Sequence, residues 1–164
     1  MKNKGILILS SISLVIVFSI IGFLITPNFI LSLITPNISL KEENFDGIYL
    51  NGNINKLNAD KISDDILNPN LYYLSNGIRV ITDKNENIRN IAITHNTDAN
   101  VKTSRGISVG DSLEDVKNYY GEDYYKRSEQ GVEITVFVDK NKFLEFWYWN
   151  DQVQEIRFGY IGIN

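Results

Sequence analysis

The chain has 164 residues, no cysteine and a formal net charge of −4. All 20 acidic residues lie after Lys4, together with 14 of the 16 basic ones, because Lys2 and Lys4 are the only charged residues before Lys41. This acidic balance argues against nucleic acid or an anionic lipid surface as the partner. The absence of cysteine excludes disulfides, thiolate metal sites and cysteine nucleophiles.

Residues 5–25 form an apolar run without a charge. At a rise of about 1.5 Å per residue, a helix of this length spans about 31 Å, the thickness of the hydrocarbon core of a bilayer. The run predicts a transmembrane anchor in a single-pass protein of the cell membrane, with the bilayer as its partner. Lys2 and Lys4 favour a cytoplasmic N-terminus at residues 1–4 and a C-terminal domain outside. A cleaved signal peptide is the alternative, although no A-x-A-like pattern follows the run.

The tetrapeptide Ile-Thr-Pro-Asn occurs twice, at residues 25–28 and 34–37. Because proline breaks or kinks a helix, we interpret residues 26–44 as a stalk. About 120 residues then remain, enough for one domain or for two small lobes that share a core.

The remaining residues suggest two copies of one unit. The tripeptide Asp46-Gly47-Ile48 begins one copy, and Arg105-Gly106-Ile107 begins the other. This predicts a first unit at 45–95, a linker at 96–103 and a second unit at 104–164. Chance similarity in a sequence of low diversity is the alternative, because a period seen only twice is weak evidence for a repeat.

In the first unit, Asn58 is a candidate cap for a short helix that contains Ile62 and Ile66. The helix is expected to stop before Pro69. Two strands are predicted after it, at 72–82 and 88–95.

In the second unit, Asp111 or Ser112 can cap a helix in capping-box spacing, and Gly121 can end it. Residues 122–130 are polar and are predicted as a loop. Three runs of alternating residues follow with hairpin-length links, which predicts an antiparallel meander with strands at 132–138, 143–149 and 153–161. The predicted fold class is therefore α+β: a transmembrane helix is followed by short helices packed on an antiparallel β-meander sheet. The short helices and strands are predicted either as one domain or as two related units in tandem.

The middle strand of this meander is apolar on both faces. Alternation places Leu144, Phe146 and Tyr148 on one face, which we assign to the core. The other face holds aromatic residues and Glu145, the kind of surface that anchors interfaces. We therefore predict a binding site for a protein or peptide, with burial of this face by the rest of the chain as the alternative; its predicted residues are Phe137, Glu145, Trp147, Trp149 and Arg157.

No metal site, cofactor or catalytic residue is predicted. Asp83, Asn85 and Asn87 have the opening spacing of a calcium loop, but later positions do not fit, and a turn is the better interpretation. His95 is the only histidine. A zinc site would need several carboxylates beside it, and no nucleophile motif supports serine hydrolysis.

Residues 103–121 read TSRGISVGDSLEDVKNYYG, a glycine-rich turn followed by a short helix that ends in Tyr-Gly. Together with the three strands predicted after it, this motif resembles the opening of domains in the SmpA/OmlA and β-lactamase-inhibitor-protein-like superfamily, over about residues 103–161. The resemblance implies a short helix on an antiparallel sheet. It also implies a non-enzymatic binding or assembly module of the cell envelope whose open sheet face contacts the partner. No ligand is implied, because partners differ widely across the superfamily.

The sequence thus predicts a membrane-anchored, extracytoplasmic binding module rather than an enzyme. A small envelope hydrolase or processing enzyme that uses His95 is the alternative. A structural or immunity factor with a partner inside the membrane is a third class.

Overall fold

The computed structural model describes residues 27–57, 59–61 and 70–161. The chain divides into two compact units, and the division in the sequence lies between Ile34 and Thr35. The described part of the first unit is the α-helix α1, Pro27–Ile34. None of the helices in the described residues is long and apolar enough to cross a membrane. The predicted anchor at residues 5–25 lies outside the described residues.

The second unit is built on one antiparallel sheet of eight strands. The strands are numbered along the chain, and their order across the sheet is β1-β2-β3-β4-β8-β7-β6-β5. They are β1 (Ala59–Lys61), β2 (Leu71–Leu74), β3 (Arg79–Thr82), β4 (Ile88–Thr94), β5 (Tyr125–Glu129), β6 (Val132–Asp139), β7 (Lys142–Trp149) and β8 (Gln152–Tyr160). A 3₁₀ turn at Ile54–Lys56 and the α-helix α2 at Leu113–Tyr120 complete the described elements.

Strand β8 joins the two halves of the sheet. It pairs with β7 on one side and with β4 on the other, where Ile91 lies opposite Phe158 and Ile93 lies opposite Ile156. Strands from both predicted units therefore belong to a single sheet.

The predicted fold class is wrong in its balance of elements, because the described part of the second unit is mostly sheet rather than short helices on a meander. Helix α2 is the only α-helix among the described residues of this unit. Two predicted elements account for the difference: residues 122–130, predicted as a loop, contain β5, and residues 72–82, predicted as one strand, form the hairpin of β2 and β3. Residues 59–61, predicted as the start of a helix, form β1, while residues 62–69 lie outside the described residues.

Helix α2 follows its sequence prediction closely. Ser112 caps it, and the side chains of Ser112 and Asp115 satisfy each other's backbone N–H groups as a capping box. Gly121 ends it with a φ of 87°, a value that glycine adopts without steric cost. Val116 and Tyr120 are buried on the face that packs against the sheet.

Residues 35–57 cover the same face of the sheet as α2. Leu40, Phe45 and Ile54 from this segment are almost completely buried in the main core, and the rings of Phe45 and Phe158 lie 6.2 Å apart. The backbone N–H of Ile38 donates to the carbonyl oxygen of Val138 at 2.9 Å. The last residues of the predicted stalk are thus built into the domain.

Glu43 connects this segment by hydrogen bonds to α2 and to the loop before α2. Its buried carboxylate accepts hydrogen bonds from the backbone N–H of Ser104 and the hydroxyl of Tyr120, each at 3.0 Å. Burial raises the pKa of Tyr120, and the charge of Glu43 adds to the effect, so this phenol stays protonated as a donor.

Candidate functional site

The sheet face opposite α2 carries most of the predicted binding residues. Directly opposite residues in an antiparallel pair share a face. Glu145 lies opposite Val136 and Arg157, and Trp147 lies opposite Ile134 and Glu155. Ile134 and Val136 are fully buried there in a second, smaller apolar cluster.

We name the polar group above this apolar layer the Trp147 cluster; it consists of Arg79, Arg127, Glu145, Trp147, Glu155 and Arg157. The guanidinium of Arg157 lies 4.0 Å from the centre of the Trp147 ring, within the range of a cation–π contact. The indole N–H of Trp147 donates to Oε2 of Glu145 at 3.1 Å. Three of the five predicted site residues are therefore in direct contact with one another.

Each carboxylate of the Trp147 cluster is held by arginine. Glu145 is 8% exposed and accepts from Arg127 at 3.0 Å. Glu155 binds Arg157 at 2.7 Å and also binds Arg79. Burial disfavours the charged form of Arg127, but its hydrogen bonds to Glu129 and Glu145 outweigh burial and raise its pKa. These pairs fix the side chains in one arrangement at ordinary pH.

A shallow pocket of about 180 Å³ adjoins the Trp147 cluster. Its walls combine two guanidiniums and an amide with apolar side chains; the lining residues are Leu71, Arg79, Ile81, Asn90, Ala92 and Arg157. The Nε of Arg79 is buried and has no hydrogen-bond partner among the described residues. A carboxylate beside an apolar group would suit this lining.

Phe137 lies on the opposite face of the sheet, which corrects its predicted place beside Trp147. It pairs with Leu144, is fully buried, and contacts the rings of Tyr120 and Phe146 at centroid distances of 5.4 Å and 6.0 Å. The sequence predicts Phe137 on the face of Glu145, but Val136 is the residue of β6 that lies opposite Glu145. A difference of one residue in register exchanges the two faces of a strand.

Trp149 is separate from the Trp147 cluster. A register irregularity lies between Trp147 and Tyr148, and β-bulges of this kind re-aim side chains. Trp149 is 58% exposed and lines a pocket of about 340 Å³ on the side of α2. We name this the Trp149 pocket; it is lined by Leu113, Gly131, Glu133, Tyr148, Trp149, Asn150 and Asp151. The sequence did not predict it, because its members come from two strands, two turns and a helix start that are far apart in the chain.

His95 is exposed at the end of β4 and lines a third pocket, of about 230 Å³, together with Asp98 and Ser108. Within the described part of the chain, no hydrogen bond joins His95 to either residue, although a nucleophile and its base need to lie about 2.6–3.2 Å apart. The hydroxyl of Ser108 is buried without a partner there. A hydrolase that uses His95 therefore stays a prediction, because the described residues show no hydrogen bond between His95 and a nucleophile.

The residues suspected of a calcium loop form a turn. Asp83 accepts from the backbone N–H groups of Asn85 and Asn87 at 2.8 Å and 3.1 Å, and the latter bond lowers its pKa most. Residues 27–57, 59–61 and 70–161 contain no group of three or more acidic, histidine or cysteine side chains suited to a metal.

Comparison with protein-family models, curated proteins and solved structures found no match.

Proposed function

We propose that this protein is a binding module of the cell envelope whose Trp147 cluster contacts a protein or peptide. The observation that carries the proposal is the stack of Arg157 on Trp147, hydrogen-bonded to Glu145, above a small apolar layer. Within residues 27–57, 59–61 and 70–161, that layer contains no side chain from a helix; its members come from β5, β6 and β7 and from Ile161. Ile134 and Val136 are already buried within the chain, so in the proposal the partner packs on the exposed parts of the Trp147 cluster above them.

The composition of the Trp147 cluster supports this role. Tryptophan and arginine are enriched among the few residues that contribute most of the binding energy at interfaces. The side chains of Arg79 and Arg157 remain about a third exposed, at 32% and 33%, so they are accessible to a partner. Because ion pairs already hold these side chains, binding would cost little additional side-chain entropy.

The adjoining pocket indicates which partner group would enter. Arg79 and Arg157 share the single carboxylate of Glu155, so the pocket retains an excess of positive charge. An acidic side chain or a C-terminal carboxylate with an apolar neighbour would match both the guanidiniums and the apolar wall of Leu71 and Ile81.

Replacement of the stacked pair tests the proposal. Trp147→Phe and Arg157→Lys retain bulk and charge but remove the indole N–H and the flat guanidinium. Each is expected to reduce the capture of the partner, measured by cross-linking and pull-down from intact cells, by about tenfold or more, since interface hot spots contribute roughly 2 kcal/mol or more.

Tyr49→Phe is the matched control, because Tyr49 is exposed at 48% and lies outside the Trp147 cluster. Circular dichroism and urea unfolding establish whether each variant is folded. Undiminished capture by folded Trp147→Phe and Arg157→Lys variants would contradict the proposal. If both variants failed to fold, the result would indicate that the Trp147 cluster stabilises the sheet rather than binding a partner.

A further inference from the structure

The Trp149 pocket contains a buried polar group without a partner. Tyr148 is 5% exposed, yet its hydroxyl has no hydrogen bond to any residue in the described part of the chain. A buried hydroxyl in this state costs free energy, typically about 1–3 kcal/mol. Since Tyr148 lines the pocket, a ligand bound there that reaches the hydroxyl is a source of the missing hydrogen bond.

Two carboxylates accompany this hydroxyl. Glu133 lies directly opposite Tyr148 in the β6–β7 ladder, which places the two side chains next to each other on one face. Asp151 lies in the β7–β8 turn and lines the same pocket. Among the described residues, neither carboxylate forms an ion pair, in contrast to the carboxylates of the Trp147 cluster.

The pocket is already formed by rigid elements. The turn residues Asn150 and Asp151 both have positive φ, as in the tight turns that match the twist of a hairpin. Backbone hydrogen bonds join Val153 to Gly110 and Asp111, at 2.8 Å and 2.9 Å, and so fasten the start of α2 to the start of β8.

We infer that the Trp149 pocket binds an organic cation, the ammonium or guanidinium of a lysine or arginine side chain in a partner polypeptide. The carboxylates of Glu133 and Asp151 supply the opposite charge, the exposed indole of Trp149 supplies a face for a cation–π contact, and the hydroxyl of Tyr148 accepts a hydrogen bond. A metal ion suits the pocket less well, because two carboxylates and a phenol are too few ligands for a hard cation.

This site is distinct from the carboxylate-binding surface proposed above. It lies on the other side of the sheet and has the opposite charge preference. The acidic balance of the chain after Lys4 also favours the approach of cations.

Titration of the full-length protein with Nα-acetyl-lysine amide, Nα-acetyl-arginine amide and Nα-acetyl-norleucine amide tests the inference. The two tryptophans give two indole N–H signals in an NMR spectrum. The Trp149 signal is expected to shift with the lysine or arginine probe, with a dissociation constant of about 1–10 mM. The norleucine probe, which lacks the positive charge, is expected to cause no shift of the Trp149 signal. The Trp147 signal serves as an internal control.

Variants locate the binding to this pocket. Glu133→Gln and Asp151→Asn are each expected to weaken binding about two- to fivefold, and Tyr148→Phe by a similar factor. Asp123→Asn is the matched control, since it removes the same charge from an exposed residue that does not line the pocket.

Three results would overturn the inference: no shift with either cationic probe, equal shifts with norleucine, or equal weakening by Asp123→Asn and Glu133→Gln. Trp147→Phe distinguishes the two sites. This variant is expected to bind the lysine probe with unchanged affinity and to capture less of the protein partner. Each proposal can therefore fail without the other.

Discussion

Asp115 is a carboxylate whose charge stabilises the start of α2. The hydroxyl of Ser112 donates to it at 2.6 Å and the backbone N–H of Ser112 at 3.0 Å. These two hydrogen bonds favour the charged form and hold the pKa of Asp115 below its ordinary value of 3.8. Since the pKa is lower in the folded state than in the unfolded one, the resulting stability is present above pH 4 and is lost as the pH falls through the folded pKa.

The replacement Asp115→Asn is therefore expected to destabilise the fold at pH 6 and to have a smaller effect at pH 2. The measurement is the free energy of unfolding in urea at several pH values. Ser112→Ala, which removes the hydroxyl donor, is expected to cost about 0.5–2 kcal/mol at neutral pH and to weaken the pH dependence. A difference between wild type and Asp115→Asn that stays constant from pH 6 to pH 2 would contradict this account.

The residues of α2 could be predicted because capping is a local matter. Ser112 and Asp115 lie three positions apart, and the capping box needs only that spacing. The contacts of Trp147 could not be predicted in the same way. They depend on the register of three strands, and an error of one residue moved Phe137 to the wrong face while leaving Glu145 and Trp147 in place.

The segment 35–57 has little secondary structure, but it covers the core as a helix would. Phe45→Ala is expected to destabilise the domain by about 3–5 kcal/mol, because a fully buried ring would leave a cavity beside Phe158. Tyr49→Ala in the same segment serves as the matched control and is expected to change stability by about 0.5 kcal/mol or less, since Tyr49 is exposed. Urea unfolding measures both. Similar losses for the two variants would mean that the segment does not depend on its buried side chains.

Elements rich in apolar residues were predicted to within a residue or two, and polar ones were not. Strands β6, β7 and β8 lie at the predicted places because each is a run rich in apolar residues between polar turns, and β6 and β7 bury residues on both faces. Strand β5 is an edge strand with the sequence YKRSE, so it has no apolar face to reveal it. The burial of Leu40, Glu43 and Phe45 follows from the packing of residues 35–45 on distant parts of the chain such as Val138, which no local pattern contains.

For the whole molecule, we propose a position on the outer side of the cell membrane. This rests on the apolar residues 5–25 and on Lys2 and Lys4 before them. Protease added to intact cells is expected to digest the domain formed by residues 35–161, with a known exterior protein and a known cytoplasmic protein as controls. Survival of the domain while the exterior control is degraded would contradict the proposed topology.

The place of β8 between β4 and β7 has a consequence for how the domain folds as the chain emerges, N-terminus first. Strand β8 lies inside the sheet but is the last of the eight strands in the sequence, so it emerges after all the others. Until residues 152–160 arrive, β4 and β7 each expose an unpaired backbone edge that another copy of the chain can pair with. The growing polypeptide therefore has to wait for its final strand before its two halves can close into one sheet, and a premature stop in this strand would leave both halves prone to aggregation.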